Sequence, residues 1–455
     1  MKITFKALGG GDEIGANSYL LDINGEKVVL DCGLHPRKSG PDMFPDYAAI
    51  SNEVIQHLII SHAHNDHIGA LPYFLKLFPY AKVYATRPTL SIAEITLGNT
   101  AFLMEREFEG VWDKSYIKYY TEEMLNLIPM IMKQHHFNEE VNLTEDISFE
   151  FHHAGHILGA AGVMLKVREG SEVKKIYYTG DFSSRDQRLI KGGNFPKEHV
   201  DILITECTNG ESEEIPSYES QDRLLVKFIN EIVGGGGSVL IPVFALGKSQ
   251  EFLKRVSDMM EKNKIPKVPI YYSSLSKALN NVYDDFNYDG NRVEQGFKLG
   301  SLDFRRIKRS DFKRGEFYKK PSIILATSGM VIEGTGSYRI AKHILPMKNF
   351  GIAMCGYCDP ATPGHRIKTA ERGERIFLDS FGIDHVEVKC SIENFRYTSH
   401  ATPDEIMFLV KQLNPKKVVL VHGDEGAIDK VGHRILTEYP HIKVQGVERM
   451  KSYEL

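Results

Sequence analysis

Four residues of the kinds that bind metal ions lie within six positions of this sequence. The pattern is His-x-His-x-Asp-His, and it contributes His62, His64, Asp66 and His67. It follows the apolar run Leu58–Ile60, which predicts a buried strand, and it precedes a loop that leads into a helix. Side chains just beyond a strand are held by the sheet, so the pattern predicts a metal site at a sheet edge.

Three further candidate ligands, His156, Asp181 and His422, also follow apolar runs with β-forming residues. Imidazole and carboxylate groups suit zinc or manganese. Two metal ions roughly 3.5–4 Å apart can activate water and polarise a phosphoryl or carbonyl oxygen. We therefore expect two divalent ions per chain, with zinc preferred and manganese as the alternative.

The seven candidates are enough for two such sites. We assign one metal to His62, His64 and His156, and the other to Asp66, His67 and His422, with Asp181 between them. For any single histidine, a solvent-exposed loop position would be the simpler explanation. That explanation does not account for a clustered motif together with three matching strand-end residues.

Composition limits the function classes. With 455 residues, two or three domains are expected. Apolar residues make up 42% and charged residues 25%, as is usual for a globular protein without a membrane span. The net charge is −4, so contact with a polyanion requires a local basic patch. Five cysteines do not suggest a disulfide framework, and no signal-peptide pattern is found, so we expect a cytoplasmic protein without membrane association.

The order of elements indicates two folding patterns. Strands are predicted at 3–8, 18–23, 27–31 and 57–61, then a mainly helical region over 88–140, then strands at 147–151, 163–167, 176–179 and 202–205. This order fits a sheet sandwich with outer helices. From about residue 209, helices and strands alternate, which implies a mostly parallel sheet. The segment after about residue 386 carries His422 and must return to the first region. We therefore predict domains at 1–208 and 386–455, interrupted by an inserted domain at 209–385.

With its ligands in this order, the chain resembles the metallo-β-lactamase superfamily, and most closely its β-CASP nucleases, such as ribonuclease J and the endonuclease subunit of the mRNA 3′-end cleavage machinery. The motifs that carry the resemblance are listed here in chain order: Asp31, His62 to His67, His156, Asp181, Glu206, His400 and His422. The family's fold is an αββα sandwich with an inserted α/β domain, which matches the two patterns above.

The resemblance also implies roles. His400 would be the general acid that protonates the leaving oxygen, and Glu206 would position its ring and favour its protonated form. Asp31 would orient a metal ligand, and Asp66 would join these three as a catalytic residue. Ser399, Ala401 and Ser328 lie in the family's motifs beside the expected substrate path, so we assign them to substrate binding. A strand-end carboxylate, a turn aspartate and a residue before a helix are the simpler alternatives for Glu206, Asp31 and His400.

A basic run within the predicted insert is a second candidate substrate surface. Between residues 305 and 320 it holds eight basic residues against two acidic ones, with aromatic residues interleaved. Arg305, Arg306, Lys308 and Arg309 are the basic residues that we assign to phosphate contacts. A solvated face without a ligand is the alternative.

The sequence therefore predicts a metal-dependent hydrolase that cleaves single-stranded RNA in RNA processing or decay. DNA is the less favoured substrate, because RNA-acting members of the family carry histidine at the position of His422. The alternatives are a single-stranded DNA nuclease, a small-molecule metallo-hydrolase and a non-catalytic RNA-binding scaffold. The sequence leaves open endonuclease or exonuclease action, and whether the protein forms a homodimer.

Overall fold

The computed structural model describes residues 2–106, 116–212, 214–379, 382 and 385–455. The chain divides into two compact units. Unit 1 comprises Met1–Asp186, Ile190–Glu213 and Ser399–Leu455, and unit 2 comprises Gln187–Leu189 and Glu214–Thr398. The sequence had suggested a return to the first domain near residue 386. In the structure, strand pairing within unit 2 continues to Asn394, so the crossing comes later.

Two sheets, each of seven strands in the described residues, form unit 1. The first has the order β22-β1-β2-β3-β4-β5-β6, antiparallel from β22 to β3 and parallel from β3 to β6. Its strands are β1 Ile3–Gly9, β2 Ser18–Ile23, β3 Glu26–Leu30, β4 His57–Ile59, β5 Lys82–Thr86, β6 Met132–His135 and β22 Ser452–Glu454.

The second sheet has the order β21-β20-β11-β10-β9-β8-β7. Its strands are β7 Val141–Asn142, β8 Ile147–His153, β9 Ala161–Glu169, β10 Glu172–Tyr178, β11 Ile202–Glu206, β20 Lys417–Val421 and β21 Lys443–Gly446. Strands β8, β10, β11 and β20 run in the same direction, because β9 is antiparallel to both β8 and β10. Their carboxyl ends therefore lie at one edge of the sheet.

The core of unit 1 lies between the two sheets. Alternate residues of each strand face this layer, as expected for a pleated strand with one face inward. Phe5 and Tyr19 from the first sheet pack with Phe149, Phe151 and residues of β11 and β20 from the second. The opposite face of the first sheet packs against helices, in a cluster that joins Leu58 and Val83 to residues of helices α2 and α3. Helices α12 and α13 contact the second sheet, which completes the αββα order.

The helices of unit 1 are α1 Asn65–Ile68, α2 Leu71–Leu77, α3 Arg87–Arg106, α4 Glu122–Ile131, α12 Pro403–Leu413 and α13 Glu425–Glu438. The region 88–140 was predicted to be mainly helical, and it also contains strand β6. Four residues are too short a run to show strand alternation, and β6 forms only by pairing with β5. Residues 107–115 of that region lie outside the described residues.

Unit 2 is built on a six-stranded sheet, counted over its described residues, in which all the pairings are parallel. Its order is β14-β13-β15-β12-β16-β19, and β17 and β18 form a separate antiparallel pair. The strands are β12 Val239–Pro242, β13 Ile270–Tyr272, β14 Arg305–Arg306, β15 Ile323–Ala326, β16 Gly351–Met354, β17 Arg375–Phe377, β18 His385–Glu387 and β19 Ser391–Asn394.

Helices cover both faces of the sheet of unit 2. Ile340 and Ile344 of α10 pack with Leu240 and Ile324 on one face. On the other face α5 lies so close to β16 that a Cβ on Gly351 would be 2.8 Å from side-chain atoms of α5. The helices of unit 2 are α5 Tyr218–Gly234, α6 Lys248–Glu261, α7 Ser274–Asp285, α8 Arg309–Arg314, α9 Glu316–Lys319, α10 Gly336–Ile344 and α11 Pro363–Thr369. The predicted sandwich with an inserted, mostly parallel α/β domain is thereby confirmed.

Over the described residues, none of the helices combines the length and apolar character that a membrane crossing requires. The cytoplasmic location expected from the sequence stays a prediction.

Candidate metal centre

Four of the candidate ligands converge in a first group of buried or half-buried side chains. His62, His64, His156 and Asp181 each offer one ligand atom, and these atoms lie within 4.8 Å of one another. Nδ1 of His64 is 3.1 Å from Nε2 of His62 and 3.0 Å from Nε2 of His156. The Oδ2 atom of Asp181 is 3.6 Å from both of those Nε2 atoms. Three imidazoles and one carboxylate around a common point match a tetrahedral metal site.

Asp66, His67 and His422 form a second group of the same kind. Oδ2 of Asp66 is 3.4 Å from Nε2 of His422 and 3.7 Å from Nε2 of His67. Asp181 reaches this group too, because its Oδ2 is 3.4 Å from Nε2 of His67 and its Oδ1 is 3.2 Å from Nδ1 of His422. The two groups therefore share one carboxylate.

The fold accounts for this convergence. His156, Asp181 and His422 follow β8, β10 and β20 at the shared edge of the second sheet, and Glu206 ends β11 beside them. The His-x-His-x-Asp-His motif follows β4 of the first sheet and continues into α1.

Close backbone approach holds this motif in place. Gly33, just beyond β3, lies so near to the motif that a Cβ there would be 1.6 Å from the carbonyl oxygen of Asp66. His422 and Asp31 have φ angles of 50° and 62°, which non-glycine residues rarely adopt and which often mark functional positions.

The carboxylate of Asp31 accepts four hydrogen bonds from residues in and around the motif. Its Oδ1 accepts a hydrogen bond from the Ser61 amide at 2.7 Å. Its Oδ2 accepts from Ser61 Oγ at 2.7 Å, from Tyr178 OH at 2.7 Å and from Nδ1 of His67 at 2.8 Å. The bond to His67 fixes the tautomer, so that Nε2 of that ring faces the second group.

Three other histidines, His62, His156 and His422, also form hydrogen bonds through Nδ1. Nδ1 of His62 donates to Ser61 Oγ at 3.0 Å, since that hydroxyl already donates to Asp31. Nδ1 of His156 donates to the carbonyl of Ser399 at 2.9 Å. Nδ1 of His422 lies 3.0 Å from Thr208 Oγ1. The Nε2 atoms of these rings are then left with lone pairs directed into the two groups.

Charge and hydrogen bonding show that these residues fit metal ions. Burial holds the pKa of His62 and of His156 well below the ordinary value, which favours the neutral ring, the form that binds a metal ion. Burial also opposes charge on His67, but the carboxylates of Asp181, Asp66 and Asp31 outweigh it and raise the pKa of this ring. Oδ1 of Asp181 is buried and has no hydrogen-bond partner among the described residues. Such a surplus of buried negative charge is what bound cations would balance.

One contact must change if His67 binds a metal. The Asn17 side-chain nitrogen lies 2.9 Å from Nε2 of His67, the atom directed at the second group. A cation on that nitrogen occupies the same lone pair, so the amide of Asn17 has to turn or withdraw.

His400 and Glu206 form a dyad next to both groups. Nδ1 of His400 is 3.1 Å from Oε2 of Glu206 and 3.7 Å from Oδ2 of Asp181. The His400 side chain is 25% exposed, whereas that of Glu206 is 1% exposed and also accepts the Phe182 amide at 2.8 Å. Burial alone would lower the pKa of His400, but the carboxylates of Glu206 and Asp181 raise it to about 9. The two carboxylates therefore favour the protonated form of this ring, and solvent can reach it.

The predicted substrate-binding residues differ in accessibility. Ala401 is fully buried and Ser399 is 6% exposed, so these two contribute to the placement of His400 rather than present side chains to a ligand. In unit 2, Arg305, Arg306, Lys308 and Arg309 are exposed. Ser328, also in unit 2, accepts the Ile332 amide through its Oγ at 3.0 Å.

The aromatic residues of the basic run are mostly committed to packing within unit 2. Phe317 is fully buried, Phe312 packs against it at 5.4 Å between ring centroids, and Phe304 packs against Tyr272 at 5.2 Å. The run is therefore a charged surface over packed aromatic rings, and Phe317 and Phe312 stabilise unit 2 rather than offer faces to a ligand.

Three residues near the dyad escaped the sequence analysis. Thr208 Oγ1 donates to Oε2 of Glu206 at 2.5 Å and also contacts His422. Asn209 and Arg185 donate to the backbone of the segment that carries His400. For Thr208 and Asn209 the available signal was their position just after Glu206. Arg185 gave no signal in the sequence.

Comparison with known proteins agrees with this geometry. The chain matches three family models in succession, the metallo-beta-lactamase superfamily over residues 11–199, the Beta-Casp domain over 249–367, and the Zn-dependent metallo-hydrolase RNA specificity domain over 385–445. It is 31% identical over 447 residues to Integrator complex subunit 11 of Gallus gallus, which covers 96% of this chain and 72% of that protein. The chain belongs to the β-CASP family of the metallo-β-lactamase superfamily.

Other members of the β-CASP family align over a similar share. Cleavage and polyadenylation specificity factor subunit 3-II of Arabidopsis thaliana is 30% identical over 450 residues, which covers 96% of this chain and 70% of that protein. A crystal structure of a protein of unknown function from Enterococcus faecalis V583 matches with a TM-score of 0.58 and 16% identity over 100% of both chains, which shows the fold alone. As a member of this family, the protein is a metal-dependent hydrolase that uses divalent ions.

We expect Asp31→Asn to weaken metal binding by about 10–100-fold, the usual effect of losing a partner that orients a ligand. An amide nitrogen would face a donor at either position, the Ser61 amide at Oδ1 or Nδ1 of His67 at Oδ2, so the contacts that orient the ring of His67 are weakened. Competition against a chromogenic chelator measures the affinity. Asp404→Asn, at a side chain that is 85% exposed, is the matched control. Equal affinities in both variants would contradict the role given to Asp31.

Proposed function

We propose that this protein is a two-metal ribonuclease that cleaves single-stranded RNA. The observation that carries the proposal is the pairing of two ligand groups, which meet at Asp181, with the His400–Glu206 pair beside them. Two comparisons support RNA as the substrate. One is the match to an RNA specificity domain over residues 385–445, and the other is the similarity to a cleavage and polyadenylation specificity factor subunit.

In the proposal, each group of ligands holds one ion. His62, His64 and His156 would hold the first ion and Asp66, His67 and His422 the second, and Asp181 lies close enough to both groups to contribute to each. Five imidazoles against two carboxylates favour zinc over manganese, and the family model over residues 385–445 is also described as zinc-dependent. Bound there, the two ions would activate water and stabilise charge on the phosphoryl oxygens.

His400 supplies the proton in this mechanism. Because its Nδ1–H points at Glu206, the proton on Nε2 is the one available to the leaving oxygen. Glu206 stabilises the charged ring and, through its bond from the Phe182 amide, keeps its own position. Cleavage of RNA expels a sugar oxygen, which is a poor leaving group unless it is protonated. A hydrolase for small activated substrates would have less need of such a dyad, and this difference favours the nuclease.

The substrate's phosphates are assigned to the basic run of unit 2. Arg305, Arg306, Lys308 and Arg309 are exposed on a chain of net charge −4, so their positive charge is local. Ser328 remains a proposed contact of the same unit. The most direct test is incubation of the zinc-loaded protein with end-labelled RNA and DNA of the same sequence. Cleavage of DNA in preference to RNA, or of neither, would overturn the proposed substrate.

Metal analysis should find two zinc ions per chain. Asp181→Ala should lower the occupancy of both sites, because its carboxylate lies within 3.7 Å of ligand nitrogens of both groups. His422→Ala should lower the occupancy of one site. The content is measured by mass spectrometry of the elements after dialysis against zinc. A single ion in the unmodified protein, with no gain on zinc addition, would refute the assignment.

His400→Ala should keep both ions and lose RNA cleavage by about 10²–10⁴-fold, the usual range for general acid catalysis. Hydrolysis of a p-nitrophenyl phosphodiester should fall much less, since that leaving group needs little protonation. The neighbouring carboxylates raise the pKa of His400, so its acid form persists through neutral pH and is lost as the pH rises through that pKa. Bound cations would lower this pKa, because they compensate the charge of Asp181. The alkaline fall in the RNA cleavage rate should therefore be absent in the variant. Loss of metal instead would make His400 a ligand.

Reversing Arg305, Arg306, Lys308 and Arg309 to Glu should weaken RNA binding and flatten its salt dependence, because fewer counterions are released on binding. Hydrolysis of the small phosphodiester should stay nearly unchanged. Binding is measured by fluorescence anisotropy across a series of salt concentrations.

The control reverses Lys262, Lys264 and Lys267, which are exposed elsewhere on unit 2. If both sets of substitutions weaken RNA binding equally, the effect is one of net charge and not of a specific surface. If neither set weakens it, the basic run is a solvated face without a ligand.

A further inference from the structure

The backbone of the segment that carries His400 is held by side chains of unit 1. Residues 399–401 lie outside helices and strands, so their carbonyl groups need partners from elsewhere. The carbonyl of Ser399 accepts from Nδ1 of His156 at 2.9 Å. The next two carbonyls, of His400 and Ala401, accept from Nδ2 of Asn209 at 3.3 and 3.0 Å. Three consecutive carbonyls are thus fixed, and the imidazole lies in the middle of them.

Asn209 and Glu206 hold the same histidine at two different places. Glu206 contacts the ring through Nδ1, and Asn209 contacts the backbone of that residue and of the next. Both belong to the end of β11 and the turn that follows it, in the second sheet. Fixing the backbone and the ring from one rigid element leaves the imidazole little freedom to turn or to move.

Arg185 adds a second attachment. Its Nη2 donates to the carbonyl of His400 at 3.4 Å, and its Nε lies 3.3 Å from Oε2 of Glu405. Glu405 is itself fixed, because it accepts the Ser184 amide at 2.6 Å and caps helix α12 through the Thr402 amide at 2.8 Å. The guanidinium of Arg185 therefore connects the start of α12 to the backbone of His400.

The position of the acid in the chain shows why such attachments matter. The chain leaves unit 2 at Thr398, and His400 is the second residue of unit 1 after that junction. Any displacement of the preceding segment would reach the acid directly unless its backbone were anchored. A general acid works over hydrogen-bond distances, so a shift of about 1 Å is enough to lose much of its effect.

We propose that Asn209 and Arg185 are positioning residues of the general acid, which hold the His400 backbone on unit 1 so that its proton reaches the leaving oxygen. The proposal rests on the function proposed above for His400. It assigns to Asn209 an effect on proton delivery and none on metal binding or on substrate affinity.

The test is Asn209→Asp, which keeps the shape of the side chain and replaces its donor by an acceptor facing two carbonyl oxygens. We expect kcat for RNA to fall by about 10–100-fold, part of the range for loss of general acid catalysis, with KM and zinc content unchanged. Two small phosphodiesters that differ only in the leaving group, p-nitrophenol or phenol, are then compared. The fall in kcat should be larger for the phenyl compound, because its leaving group is more basic. Arg185→Lys, which keeps the charge beside Glu405, should show the same pattern with a smaller loss.

A second measurement does not depend on activity. Hydrogen–deuterium exchange should rise in peptides covering residues 398–402 in Asn209→Asp, and should stay the same there in Asn52→Asp, a control at an exposed position. Equal loss on both esters, loss of zinc, or unchanged exchange in those peptides would overturn the positioning role. A wild-type protein that hydrolyses the esters but not RNA would instead overturn the proposed substrate, and the ester comparison would still decide the role of Asn209.

Discussion

The buried carboxylate of Asp181 is the group on which the rest of the site depends. Its two oxygens lie 3.2–3.7 Å from nitrogens of five histidines, and one of those oxygens has no hydrogen-bond donor in the described part of the chain. A carboxylate in such surroundings is costly to bury unless positive charge is supplied. The neutral rings of His62 and His156 cannot supply it, and the charge on His67 is already shared with Asp31 and Asp66. The site is therefore built to be completed by cations.

Four of the histidines use one ring nitrogen toward the candidate metal sites and the other for a hydrogen bond to the surrounding protein. Four rings present one nitrogen to the groups and fasten the other to Asp31, Ser61, Thr208 or a main-chain carbonyl. Thr208 is notable among these partners because it contacts both His422, a candidate ligand, and Glu206, the partner of the acid. The candidate ligand His422 and the His400–Glu206 pair thus share one hydrogen-bond partner, Thr208.

Much of this could be predicted from the sequence, and the reasons are physical. Ligands such as His156 and His422 follow apolar runs, and parallel strands end at a common edge, so convergence follows from pattern alone. Strand β6 could not be predicted, because four residues are too few to show an alternating pattern. The burial of Phe317 could not be predicted either, because the basic residues around it are typical of an exposed segment. Asn209 and Arg185 act through the backbone of distant residues, and such contacts leave no local pattern. The boundary near residue 398 depends on the pairing of β19, which is a long-range contact.

The order of the parts along the chain has a consequence for biosynthesis. Six of the seven candidate ligands, and Glu206, precede unit 2, whereas His400 and His422 follow it. Strand β20, which His422 follows, is also translated after unit 2 and pairs with β11. A ribosome-bound chain that has emerged only as far as unit 2 contains most of the candidate ligands but lacks His400 and His422. Under the proposed function, such a nascent chain has neither its proton donor nor the last of its ligands until the closing segment has been translated.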